Sequence, residues 1–170
     1  MTGKPDAAEA LNQVVVTKHN PCQRIRKKNV AALAQLFLKK LGYSKILVSI
    51  VFVSDHEMKR LNQRYLNHPW STDVLAFPLD DPRLAIDTVS RRRRMGRTVF
   101  LGEIFISPRR ARVQAKHLKV SMSEELARYV CHGILHLSGY SDHTRYGEQR
   151  MRRAEDQLLR LVPANTRRIV

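Results

Sequence analysis

Apolar positions along this chain follow two spacings, and each change of spacing marks a change of element. Val14, Val15 and Val16 form a β-branched run that predicts a short first strand. Across 21–41 the spacing becomes helical. Val30, Leu33, Ala34, Phe37, Leu38 and Leu41 recur at three and four, and Gly42 stands where a C-terminal cap belongs. Residues 46–53 return to a β-branched run and predict a buried strand. Ser54 with Glu57 three residues on is a capping-box pattern, so a helix is expected over 55–65.

A short strand over 73–77 closes at Pro78. Residues 79–98 hold Asp80, Asp81, Pro82 and an arginine run, and predict a long mobile loop. Residues 101–107 form another strand, in which Gly102 marks a bulge or a close backbone approach. Pro108 opens a helix to Leu118, Ser121 or Ser123 caps a longer one ending at Leu137, and a last helix spans 146–161. Strands in the first two-thirds and helices at the end predict an α+β fold, with a mixed, roughly four-stranded sheet packed against helices. No internal repeat or low-complexity linker divides residues 1–170, so one domain is expected.

Composition narrows the class. With 43% hydrophobic and 27% charged residues, the chain reads as globular rather than disordered. Its two cysteines, Cys22 and Cys131, form no C-x-x-C pair, which argues against a disulfide framework and a thiolate zinc finger and suits a reducing compartment. Residues 1–12 are polar and carry Asp6 and Glu9, unlike a secretory or transit segment. The longest apolar run falls far short of the roughly 20 residues a membrane span needs. A cytoplasmic protein with no membrane partner is the expectation.

The charge points to the partner. Thirty-one Lys and Arg against fifteen Asp and Glu leave +16, a balance that suits a polyanion, since each neutralised phosphate releases counterions. Arg91, Arg92, Arg93, Arg94 and Arg97 crowd the expected loop and are candidate RNA-backbone contacts, although a solvated loop adding only bulk charge explains them equally well. Lys59, Arg60 and Arg64 share one helix and are candidates to line a cleft near Thr72 and Asp73. An exposed helix face is the plainer explanation.

The chemistry concentrates in residues 131–143. His132 and His136 are four apart on an expected helix, so both imidazoles can reach one ion. Ile134 and Leu135 should point into the core. Gly139 follows where the helix must stop, and the returning chain offers Asp142 or His143 as a third ligand. Register favours Asp142 and ligand type favours His143. Three protein ligands with an open position is the arrangement of a catalytic zinc. The zincin pattern H-E-x-x-H is matched only in part, because Gly133 stands where a peptidase would carry its general base.

His132-Gly133-x-Leu135-His136-Leu137-x-Gly139-Tyr140 with Asp142-His143 closely resembles the YbeY family of single-strand-specific endoribonucleases, or rRNA maturation factors. Leu61-Asn62-x-x-Tyr65, Thr72-Asp73-Val74-Leu75-x-Phe77-Pro78 and Gly102-Glu103-Ile104-x-Ile106-Ser107 match further signatures of that family, as do Glu148, Met151 and Glu155 at the spaced positions of its terminal helix. A family-like core thus covers about 14–161.

The resemblance implies a single zinc ion in a zincin-like metal helix near the C-terminus. It also implies cleavage of ribosomal RNA precursors at the small-subunit 3′ end, a role in ribosome quality control, and the small ribosomal subunit as partner. His132 is then a catalytic as well as a metal residue. Family members often carry an arginine directly after the signature tyrosine. Here Leu66 follows Tyr65, leaving Arg64 or a loop arginine as the candidate that holds substrate phosphate. Two other readings remain: a non-catalytic ribosome-assembly factor with a structural metal, and a zinc peptidase.

Overall fold

The computed structural model describes residues 11–19, 24–79, 98–163 and 168–170. Among these the chain forms strands β1 (Gln13–Lys18), β2 (Ile46–Phe52), β3 (Val74–Pro78) and β4 (Val99–Ile106). The helices are α1 (Lys27–Lys40), α2 (Asp55–Leu66), α3 (Pro108–Leu118), α4 (Met122–Leu137) and α5 (Arg145–Arg160). The strands make one sheet in the order β1-β2-β4-β3. β1, β2 and β4 run parallel, and β3 pairs antiparallel to β4 at the edge. This is the expected mixed sheet in an α+β fold.

Side-chain alternation gives the sheet two dry faces. Val48, Ile50 and Phe52 of β2, Ile104 and Ile106 of β4, and Val74 and Ala76 of β3 join the main core, which α1 and α4 cover. The opposite residues, Val51, Leu75, Phe77 and Phe105, meet Met58 and Leu61 of α2. The sheet therefore lies between α4 on one side and α2 on the other, which decides which side chains can reach the histidines.

Gly102 fills both roles expected of it. The β2–β4 register slips between Leu47 and Val48, so that Phe100 and then Gly102 are the facing residues. A Cβ at Gly102 would lie 2.4 Å from the Phe77 carbonyl oxygen and 2.7 Å from Leu137 Cδ2. The glycine thus lets β3 and the end of α4 close on the same strand.

One boundary differs from expectation. The first helix begins at Lys27, not near residue 21. Its first turn holds no acidic residue, and its N-cap Arg26 makes no side-chain cap, so the positive helix end starts without local support. Tertiary contacts set the start instead. Arg26 N–H donates to the Ile169 carbonyl at 2.7 Å, and Asn29 Nδ2 donates to that of Arg168 at 2.6 Å. Residues 80–97, most of the expected basic loop, lie outside the described residues, as do Arg91 to Arg94, Arg97 and Cys22. Among the described residues no helix is long and apolar enough to cross a membrane.

Candidate metal centre

The histidines stand on α4, whose start is fixed by a complete capping box: Ser121 accepts from Glu124 N–H, and the Glu124 carboxylate accepts from Ser121 N–H. Ile134 and Leu135 are fully buried, so the helix is locked against the sheet as expected. Gly133 lets it sit close. A Cβ there would meet Ile104 Cγ2 at 2.5 Å. Any larger residue here would force Ile104 to shift, and the glutamate of a zinc peptidase is missing from this position.

The turn after α4 is a Schellman motif. Gly139 adopts φ +88°, its N–H donates to the His136 carbonyl, and Tyr140 N–H donates to that of Leu135, both at 3.0 Å. This turn does two things. It brings the Tyr140 carbonyl to 3.0 Å from His136 Nδ1, and it returns the chain so that Asp142 faces the helix.

The ring orientations follow from hydrogen-bonding chemistry. His132 Nδ1 lies 2.7 Å from Glu155 Oε1 on α5, and His136 Nδ1 meets the Tyr140 carbonyl. Both partners are acceptors, so each Nδ1 carries a proton and donates it. Each neutral ring then presents a bare Nε2. The two Nε2 atoms are 2.9 Å apart, and each lies 3.8 Å from Asp142 Oδ2.

With both rings neutral, three lone-pair atoms converge, and a shared proton or a cation is needed to hold them together. These atoms are also the described residues' candidate metal-ligand group. Imidazole nitrogen and carboxylate oxygen bind zinc at about 2.0–2.2 Å, which puts ligand atoms on one tetrahedral ion about 3.3 Å apart. The observed separations straddle that value. The residues fit a divalent ion.

The site is electrostatically uneven. Burial alone would lower the pKa of His132, but the Glu155 hydrogen bond and the charges of Glu155, Asp142 and Asp73 outweigh it and raise the value. His136 is lowered, first by burial and then by the neighbouring His132. A cavity of about 510 Å³ opens beside His132. Asp73, Glu125, Asp142, Glu148, Glu155 and Asp156 line it, so six of the fifteen acidic residues of a basic chain face one space. Arg128 and Arg152 share the wall. Arg128 reaches Glu155 and Asp156, and Arg152 reaches Glu148. Glu125 is 3% exposed and its carboxyl is held above the ordinary range, chiefly by burial.

The structure brings together His132, His136 and Asp142 in one candidate group, to which His143 contributes no atom. Lys59, Arg60 and Arg64 do not join it. They sit on α2, against the other face of the sheet, and the Arg64 guanidinium lies 5.6 Å over the Tyr65 ring. Asp73 lines the cavity, and its Oδ1 accepts from Thr72 Oγ1 and Val74 N–H, both at 3.0 Å. The residue that orients His132 is Glu155. Sequence reasoning assigned it no role beyond a spaced helical position, and that spacing was the available signal.

Fold and cluster together define a class: α+β proteins in which two histidines on a helix and a carboxylate from the following turn can hold a metal ion. Among known families, the profile described as endoribonuclease YbeY matches residues 14–162, and the chain belongs to that family. The endoribonuclease YbeY of Aquifex aeolicus is 34% identical over 127 residues, spanning 75% of this chain and 76% of the relative. That of Salinibacter ruber is 30% identical over 158 residues, spanning 93% and 95%. A Thermotoga maritima protein solved in solution shares the fold, with a TM-score of 0.57 at 23% identity over 86% of this chain and 87% of that one.

Proposed function

We propose that this chain is a zinc-dependent endoribonuclease that cleaves single-stranded RNA, with one zinc ion held by His132, His136 and Asp142. The observation that carries this reading is the convergence of three acceptor atoms whose rings are fixed from behind by Glu155 and the Tyr140 carbonyl. A carboxylate behind a ligating histidine fixes its tautomer and raises its basicity, the usual outer support of a metal site. Membership of a family described as endoribonucleases supports RNA as the substrate.

When bound, zinc supplies Lewis acidity and a water of lowered pKa, which suits attack at a phosphodiester near neutral pH. The chain's own residues do the rest. Glu155 holds the proton on His132 Nδ1, and the Tyr140 carbonyl holds that on His136, so both Nε2 lone pairs stay aimed at one point. Asp142 adds one negative charge, which offsets half that of a dication. The acidic wall disfavours a bare phosphate, so a phosphodiester gains from entering only where positive charge has been placed.

The net charge of +16 supports an RNA partner. Ribosomal RNA precursors, small-subunit 3′-end maturation, ribosome quality control, the small subunit as partner and a cytoplasmic setting complete the proposal, as does an RNA-backbone role for Arg91 to Arg94 and Arg97. Purified protein incubated with single-stranded RNA, with and without chelator, tests the reading. His136→Ala should lose both bound zinc and cleavage. Cleavage by the metal-free variant at the parent rate contradicts it, and intact RNA despite tight binding favours a non-catalytic assembly factor.

A further inference from the structure

The connection between α2 and β3 carries the chain's one tryptophan, and the metal centre makes no use of it. Trp70 is 56% exposed, although an indole buries more apolar surface than almost any other side chain. Its ring lies nearly parallel to that of His68, with centroids 4.7 Å apart and planes 13° apart. The backbone beneath is tied down. His68 N–H donates to the Asn62 carbonyl at 3.3 Å, and the buried Asn62 side chain donates to the Trp70 carbonyl at 2.8 Å. The Arg110 guanidinium donates to the Ser71 carbonyl at 2.7 Å.

The indole is therefore presented on a fixed frame, with cations close in the chain. Exposed Tyr65 lies just upstream with Arg64 over its ring, and Lys59 and Arg60 stand on the same helix. Downstream, Asp73 already lines the cavity beside His132, and three residues of chain span at most about 10–11 Å.

We propose that the Trp70–His68 pair is a stacking platform for an unpaired base of single-stranded RNA, seating one nucleotide beside the metal cavity. The inference rests on the RNA-cleaving reading above. Aromatic faces stack on bases of any sequence, and a duplex hides those faces, so such a platform selects single strands without reading sequence. The α2 cations, which the metal centre leaves out, supply positive charge for the backbone next to the stacked base. Because the hydrogen bonds of Asn62 and Arg110 already hold the segment, little ordering remains to be done on binding.

Trp70 is its own reporter, since no other indole contributes to the emission. Full-length protein is titrated with a fluorescein-labelled single-stranded 2′-O-methyl oligonucleotide and with a hairpin of the same composition, with anisotropy following binding independently. The single strand should quench Trp70, and the hairpin should do so far less. In cleavage assays Trp70→Ala should raise KM by about tenfold or more while largely sparing kcat, with Trp70→Phe recovering most of the loss, as expected for stacking on one base. Unchanged emission at saturating RNA, or a KM within twofold in Trp70→Ala, overturns the platform and leaves the nuclease assignment standing. Quenching by single strands in a protein that cuts no RNA supports the platform and overturns the nuclease assignment.

Discussion

At the scale of single residues, the third donor separates two chemically reasonable side chains one position apart. His132 and His136 were legible in the sequence because i and i+4 share a helix face whatever surrounds them. Asp142 against His143 was not, because the answer depends on how many residues the glycine turn consumes before the chain faces the helix again. Gly139 and Tyr140 complete a Schellman turn, and the residue that then faces both Nε2 atoms is Asp142. Asp142→Ala should therefore weaken zinc binding by more than about 100-fold, beyond the 10–100-fold typical of losing an outer-shell partner. His143→Ala should stay within a few-fold in the same competition assay with a chromophoric chelator. The reverse ranking would return the ligand to His143. Glu155 escaped notice for a related reason. It lies 23 residues from His132 on a different helix, and only the packing of α5 against α4 brings them together.

At the scale of elements, apolar spacing together with cap and proline signals located each strand and helix that the structure describes. Limits supported by a local cap agreed best: Ser54 at α2, Ser107 at α3 and Ser121 at α4 each accept from the backbone N–H three residues on. The start of α1 has no such cap and takes its position from the C-terminal residues Arg168 and Ile169, which local patterning cannot see. Packing of α4 on β4 explains Gly133 in the same way. The missing glutamate was visible in the sequence, but the reason for it, contact with Ile104, was not. Gly133→Ala should cost about 1–3 kcal/mol through overpacking. The check is a lower urea midpoint at unchanged slope. A variant as stable as the parent would mean that α4 can move off the sheet without penalty.

At the scale of the whole molecule, the charge is unevenly placed. A surplus of +16 gave polyanion binding from composition alone, but composition sums over the chain and hid the acidic cavity. That cavity lies beside a His–His–Asp cluster on one side of the sheet, while α2 and its cations pack on the other and the Trp70 segment leads from α2 into edge strand β3. On the proposal, RNA attraction and RNA cleavage fall on different surfaces, joined by the short run from Trp70 to Asp73. The proposed chemistry depends most on a divalent ion occupying the His132–His136–Asp142 cluster and being required for cleavage. The direct test is the rate of single-stranded RNA cleavage by chelator-stripped protein as zinc is restored. The rate should rise from background and level off at one equivalent. Stripped protein, verified free of metal, cutting RNA at the full rate would contradict the account.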